Sequence, residues 1–273
     1  MLGALIVAAA VGLGTSLGAV PFLFLRSVPR RHYDALLGLA AGLMLAAATL
    51  GLLSTALADV RGAAGLDGAR FAWVLAGFGG GVALLFLMDS FIPHEHAGGH
   101  HVHVHEDHVH HDADGEHERH EATTARKQGL LVVGVMALHR IPEGFAIGAA
   151  WAGGGTSLGI TLAAAVAVQN TVEGAVMAAP LRRGGLGAPA LLALITATGL
   201  AVPAAALAGF VLSARVHGAL PPMLALAAGA LLYLTCNEII PESHSHGNEV
   251  RATFGILAGF VLIIVLRTLF GET

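Results

Sequence analysis

The chain has 273 residues, of which 55% are hydrophobic and only 12% are charged. Soluble domains carry about 25% charged residues, so this composition excludes an ordinary soluble protein and indicates a membrane protein. The formal net charge of −4 comes from residues concentrated in the loops, and no nucleic-acid partner is expected. Cys236 is the single cysteine, so no disulfide can form within the chain.

Eight apolar runs predict eight membrane-spanning helices, because about 20 apolar residues cross the hydrocarbon core of a bilayer. The first run follows no basic segment, so we expect it to be retained as a span and not cleaved as a signal peptide. The predicted fold class is all-α integral membrane, in a single domain over residues 1–273. The predicted spans are residues 2–25, 34–58, 70–93, 128–151, 156–181, 186–213, 219–241 and 250–270.

The distribution of basic residues predicts the orientation of these spans. If both termini lie outside, the inside loops hold nine Arg and Lys residues, and the outside loops and tail hold four. Loops on the cytoplasmic side carry an excess of basic residues. The sequence therefore predicts a multi-pass protein of the inner (plasma) membrane with both termini outside.

The fourth span carries three ionisable residues near its middle: His139, Arg140 and Glu143. A charged residue at mid-membrane costs roughly 2.5–3.5 kcal/mol on insertion scales, so such residues usually face a protein interior or a water cavity and mark function. His139 and Glu143 are four residues apart and share one helix face. Pro142 lies between them and cannot donate a backbone hydrogen bond, which leaves a carbonyl one turn earlier open to a ligand.

The fifth span repeats this pattern thirty residues later. Gln169, Asn170 and Glu173 have the same i, i+1, i+4 spacing, and a glycine follows the glutamate in both spans. Paired elements of this kind predict a mid-membrane ion site built from a repeat. The alternative is that both triplets are polar patches through which helices pack.

The segment 94–128, between the third and fourth spans, holds eleven of the sixteen histidines, interleaved with Asp and Glu. Such a composition cannot bury a core and predicts a disordered cytoplasmic loop. Imidazole is the commonest protein ligand for zinc-like metals, so we interpret the loop as a weak, multisite metal buffer. A solvated acidic linker is the alternative. The candidate ligands of this buffer are His94, His96, His100, His101, His103 and His105.

The third and seventh spans end alike, each with the motif Ile-Pro-x-x-His and nearby acidic groups. Both ends are predicted near the inner membrane face, and the likeness suggests that the first three and last three spans form a second repeated pair. These residues either line a metal exit route or are interfacial polar residues that end a helix. The candidates are Asp89, Glu238, Glu242, His244 and His246.

Eight spans, a His-rich third loop, His-x-x-Pro-Glu-Gly in the fourth span and Asn-x-x-Glu-Gly in the fifth resemble the ZIP family of divalent-metal transporters, bacterial GufA-type branch. The resemblance covers essentially the whole chain. It implies an eight-helix fold with inverted repeats, usually a homodimer, that moves metal into the cytoplasm by elevator-like alternating access. Zinc, or cadmium, iron or manganese, would be the bound substrate, with no cofactor and no enzyme activity.

The same resemblance assigns site residues one by one. Arg140 departs from the family, because close relatives carry Asn there as part of a second metal position. The two glutamates are neutralised by one divalent ion, and a permanent positive charge opposes a second ion nearby. We therefore interpret the site as mononuclear, with Arg140 in place of a second metal. The metal ligands implied by the family pattern are His139, Glu143, Gln169, Asn170, Glu173 and Met44.

Three other functions were weighed against metal transport. An intramembrane metal hydrolase is disfavoured, because the sequence has no His-Glu-x-x-His motif. A metal-efflux carrier and a non-transporting metal sensor stay open as alternatives. One imidazole, two carboxylates and two amides form a borderline-to-hard ligand set, to which Met44 would add a preference for zinc and cadmium, although a buried methionine is more often packing.

Overall fold

The computed structural model describes residues 1–25, 28–58, 60–62, 65–91, 114–216 and 218–270. Helices dominate this part of the chain, and the two short strands form a small antiparallel hairpin. The elements in chain order are α1 (Leu2–Ala19), α2 (Pro21–Phe24), α3 (Arg30–Ala46), a first π-helical segment (Ala47–Leu53), α4 (Ser54–Ala58), β1 (Arg61–Gly62), β2 (Gly65–Leu66), α5 (Gly68–Phe91), α6 (Asp114–Gly153), α7 (Gly155–Arg183), α8 (Ala188–Gly199), α9 (Ala201–Arg215), α10 (Leu220–Leu234), a second π-helical segment (Thr235–Ile239), α11 (Ile240–Ser243) and α12 (Glu249–Phe270).

Seven helical stretches of the described residues are long and apolar enough to cross a membrane. The eighth predicted span is the second half of α6, a helix of 40 residues. The prediction of an all-α membrane protein is confirmed. The seven stretches are Leu2–Phe24, Arg30–Ala58, Gly68–Met88, Gly155–Arg183, Ala188–Arg215, Leu220–Ser243 and Glu249–Thr268.

The His-rich segment differs in part from the predicted disordered loop. Helix α6 begins at Asp114, so residues 114–128 are helical. This stretch is rich in Glu, Ala, Arg, Lys and Gln, which favour helix, and it continues into a membrane helix that has already nucleated. Residues 92–113 lie outside the described residues, and with them the loop histidines His94, His96, His100, His101, His103 and His105.

The long helices pack chiefly as α6 against α7 and in four glycine-lined pairs: α1 with α7, α6 with α9, α3 with α12, and α5 with α10. Glycines bring the backbones together, as small residues do in membrane proteins. Gly144 and Gly148 of α6, for example, lie against the carbonyl oxygens of Val202 and Ala206 of α9. Because both contacts advance by four residues along both helices, the two helices run parallel. The same reasoning applies to the other three pairs.

The pairing has an internal symmetry that exchanges the first span with the sixth, the second with the seventh, the third with the eighth and the fourth with the fifth. Under this exchange the α1–α7 contact becomes α9–α6, and the α3–α12 contact becomes α10–α5. Both the second and seventh spans contain a π-helical segment. The inverted repeats expected from the family resemblance are thus present. The third and seventh spans, whose ends are alike in sequence, are not repeat partners under this exchange, and α5 and α10 pack side by side. The end of the third span beyond residue 91 lies outside the described residues.

The symmetry divides the helices into two groups. Helices α1, α6, α7, α8 and α9 form one group, and α3, α5, α10 and α12 form the other. The groups meet mainly where α10 packs on α6 and α3 packs on α7. The polar residues of the fourth and fifth spans lie in the first group, beside this contact.

Gly148→Ala should destabilise the fold, because the new Cβ would overlap the carbonyl oxygen of Ala206. Overpacking of a tight contact typically costs about 1–3 kcal/mol. Gly134 is the matched control, since it lies on the same helix and has no atom within 4 Å of its Cβ position. We expect thermal unfolding in detergent to shift down for Gly148→Ala only. Equal midpoints for the two variants would contradict the close α6–α9 contact.

Candidate metal centre

Six polar side chains lie together inside the protein where α6 packs against α7. Close helix contacts on either side position them: Gly144 lies against the Val202 carbonyl of α9, and Gly174 lies against the Thr15 carbonyl of α1. Each glutamate therefore precedes a glycine that fixes its helix against a neighbour. All six side chains are at most 1% exposed: His139, Arg140, Glu143, Gln169, Asn170 and Glu173.

Hydrogen bonds join the two glutamates through their neighbours. The Nε2 of Gln169 donates to Oε1 of Glu143 and, at 2.9 Å, to Oε1 of Glu173. The Nη2 of Arg140 donates to Oε2 of Glu173 at 3.1 Å, in an ion pair whose two side chains are both fully buried. Both oxygens of Glu173 are therefore engaged, whereas only one oxygen of Glu143 is.

Three buried oxygens of this centre have no hydrogen-bond partner among the described residues: Oε2 of Glu143, Oε1 of Gln169 and Oδ1 of Asn170. The amide nitrogen of Asn170 donates to the Val11 carbonyl at 3.3 Å, which orients that side chain. An unsatisfied buried acceptor costs about 1–3 kcal/mol. A divalent cation would use such oxygens, and carboxylate, amide and imidazole ligands suit a borderline ion such as zinc.

The glutamates are not arranged for a metal in this conformation. Within the described residues, no three His, Cys, Asp or Glu side chains are grouped closely enough to hold an ion. Arg140 and Gln169 explain this, since their donors occupy carboxylate oxygens that an ion would need. Coordination would require the Gln169 amide to turn its oxygen inward and Arg140 to release Glu173.

A cavity of about 230 Å³ reaches this centre from one membrane face. Glu143 and Gln169 line its inner end, and otherwise its wall is largely apolar. Four residues between Ala47 and Thr55 line one side of the cavity: Ala47, Gly51, Leu52 and Thr55. At the α-helical rise of about 1.5 Å per residue, they extend over about 12 Å. Arg267 lies at the mouth, where its Nη1 is 3.4 Å from Ser54 Oγ. The mouth is on the face where α12 ends and α7 begins, which the predicted orientation places outside.

Met44 lies on α3, one turn before the cavity-lining Ala47, and is fully buried in the main apolar core. Most members of that core are alanine or leucine. Its predicted role as a ligand therefore stays a prediction.

At the opposite face, two of the predicted exit residues come together around a carboxylate that sequence reasoning missed. Asp34 is fully buried at the start of α3. Its Oδ1 is 3.1 Å from Nδ1 of His246, and its Oδ2 accepts from Nδ2 of Asn248 at 2.8 Å. Nε2 of His246 is 4.0 Å from Oε1 of Glu242. No sequence pattern marks Asp34 as a site residue, because its partners His246 and Asn248 are more than 200 residues away.

Of the other predicted exit residues, His244 makes a separate set of contacts. It bonds Ser243 and the Ile240 carbonyl through Nδ1 and Thr253 of α12 through Nε2 at 3.1 Å, so it ties α11 to α12. Glu238 is half-buried on the second π-helical segment. Asp89 lies near the end of α5.

Removing Glu173 should destabilise the protein more than removing Glu143. Glu173→Ala leaves the Arg140 guanidinium buried without its counter-charge, which typically costs about 3–5 kcal/mol, whereas Glu143 has no cationic partner in the described contacts. Thermal unfolding in detergent with a chelator measures the difference. Adding Arg140→Leu to Glu173→Ala should recover part of the loss. Equal destabilisation by the two alanine variants would contradict the importance of the ion pair.

Comparisons with known proteins give the family. The family model described as "ZIP Zinc transporter" matches residues 2–267. The chain is 36% identical to zinc transporter ZIPB of Bordetella bronchiseptica over 94% of this chain and 78% of that protein. It is 36% identical to zinc transporter GufA of Myxococcus xanthus, over 93% and 94%, and 30% identical to a zinc transporter ZupT of Corynebacterium aurimucosum, over 95% and 94%. The chain therefore belongs to the ZIP zinc-transporter family.

Proposed function

We propose that this protein carries zinc across the membrane into the cytoplasm through the centre between α6 and α7. One observation carries the proposal: buried carboxylate and amide oxygens without donors lie at the inner end of a cavity that opens at one face. The relatives ZIPB and GufA are named zinc transporters, which supports zinc as the substrate. The ion is cargo, and no resident cofactor is part of the proposal.

In the proposed cycle, the ion first reaches the oxygen of Glu143 that has no donor. The Gln169 amide then rotates, which replaces its two hydrogen bonds with coordination through Oε1. Asn170 contributes its amide oxygen, and Glu173 and His139 complete the set after Arg140 has moved off the carboxylate. The binding energy of the ion offsets the loss of these hydrogen bonds. Binding weakens as pH falls, because imidazole and carboxylates ligate in their deprotonated forms.

Alternating access is proposed to be of elevator type. The group α1, α6, α7, α8 and α9 holds every candidate central ligand except Met44 and would move as a body against α3, α5, α10 and α12. The α3–α7 and α6–α10 contacts are then the sliding surfaces. On the inner side the ion would leave past the cluster of Glu242, His246 and Asp34. Asp89 on α5 and Glu238 on the second π-helical segment are the further candidates for this route.

The proposal also covers substrate range and assembly. Cadmium, iron and manganese fit the same borderline-to-hard ligand set, and Met44 would favour zinc and cadmium if it reaches the ion. The assembly is a homodimer in the inner membrane with both termini outside. The apolar helices α5 and α12 are buried least by their own chain and offer area for a second copy. The loop histidines would buffer metal on the cytoplasmic side.

Zinc flux into proteoliposomes tests the proposed transport directly. We expect wild-type flux, and a loss of at least about 10–100-fold in Glu143→Gln and in Glu173→Gln, because losing even a residue that supports a metal ligand typically costs this much. Glutamine keeps an acceptor for Arg140, so the fold should survive. Glu249→Gln, at an exposed glutamate that begins α12, is the control and should keep full flux. Undiminished flux in either site variant would place transport elsewhere.

The mononuclear interpretation is tested by counting bound ions. With the loop histidines between residues 94 and 111 replaced, wild type should bind one zinc per subunit at saturation, measured by elemental analysis. Arg140→Asn removes a positive charge and adds an amide oxygen, so it should bind two. If Arg140→Asn binds no more zinc than the wild type, Arg140 does not take the place of a second ion.

A further inference from the structure

We propose that Arg140 is a tethered counter-cation that offsets one of the two glutamate charges of the empty centre, so that the carrier can return across the membrane without cargo. This inference rests on the proposed transport cycle and deepens it. It concerns the half of the cycle in which no metal is bound. Net transport requires the carrier to return across the membrane without an ion. Exchange of one ion for another does not, because an ion is bound in both directions.

The contacts of Arg140 fit this role. It is the bulkiest of the fully buried side chains, and its single hydrogen bond among the described residues goes from Nη2 to Glu173. The Nε and Nη1 atoms are buried without a partner in the same part of the chain. A guanidinium held by one bond can leave the carboxylate when an ion arrives, yet its attachment to α6 keeps it in the centre.

Charge makes the empty state the difficult one. When both are ionised, Glu143 and Glu173 place two negative charges in a fully buried setting, and both side chains must cross the bilayer centre when the carrier returns. An uncompensated buried charge is strongly disfavoured in a low dielectric. Arg140 stays positive at every physiological pH, so it reduces the excess from two charges to one without any ion from solution.

The arrangement of Gln169 supports the same conclusion. Its Nε2 donates to both glutamates, so the two carboxylates are held by the side chains of Gln169 and Arg140. Metal and the pair Arg140–Gln169 are therefore alternative occupants of the same oxygens. One carboxylate oxygen of Glu143 and both of Glu173 thus have donors when no ion occupies the centre.

The experiment compares net uptake with exchange in proteoliposomes at equal pH on both sides. Net uptake is measured with labelled zinc outside and no metal inside. Exchange is measured with labelled zinc outside and unlabelled zinc inside. The variants are Arg140→Leu, which is neutral and cannot ligate, and Arg140→Lys, which keeps the charge. Arg215→Asn, at an exposed arginine that ends α9, is the control.

We expect wild type, Arg140→Lys and Arg215→Asn to show net uptake comparable to exchange. Arg140→Leu should keep exchange but lose net uptake by roughly 70-fold to 400-fold, the range that one additional uncompensated charge at mid-membrane implies at about 2.5–3.5 kcal/mol. Retained exchange also shows that this variant is folded. Metal affinity should rise in Arg140→Leu, since the tethered competitor is gone.

Three results would overturn the inference. They are an unchanged ratio of net uptake to exchange in Arg140→Leu, a parallel loss of both fluxes in that variant, and wild-type exchange much faster than wild-type net uptake. The absence of both fluxes in wild type is a different outcome, because it would refute the proposed transport itself.

Discussion

The burial of charge between two membrane helices is the constraint on which this structure depends. Three ionisable side chains are removed from water at the level where α6 packs on α7, and Arg140 and Glu173 share one ion pair there. A buried pair is maintained only when its geometry is good and its remaining polar atoms find partners. Gln169 provides part of that satisfaction, and the oxygens left without donors define where a cation would bind.

The surrounding helices can approach closely enough to enclose this centre because their contacts are made of backbone and glycine. On each side of the glutamates, a glycine lies directly on a carbonyl of the next helix, at Thr15 and at Val202. Glycine–carbonyl contacts of the same kind join α3 to α12 and α5 to α10. Dispersion and close packing stabilise such contacts, since lipid offers no hydrophobic driving force between helices. Close packing within each group and fewer contacts between the groups are what a rigid-body motion would need.

Much of the fold could be predicted from the sequence, because hydropathy and periodicity report directly on a bilayer. The spans and the repeated polar triplets are local patterns, and both appear where expected. Two features are not local. The partner of Asp34 is His246, at a separation of 212 residues, and no spacing rule predicts it. The helical state of residues 114–128 depends on continuity with a membrane helix, which outweighs a composition that otherwise indicates disorder.

The charge of Arg140 also determines how a membrane potential would act on the proposed cycle. With one divalent ion bound, the three charged side chains and their cargo sum to +1, and without it they sum to −1. A potential that is negative inside draws the loaded form inward and drives the empty form outward, by about 2.3 kcal/mol per charge for each 100 mV. The two steps are thus driven equally and in the same direction around the cycle. With a neutral residue in place of Arg140, the loaded form would have no net charge and the potential would not act on it. The empty form would have a charge of −2, so the potential would drive only the empty return.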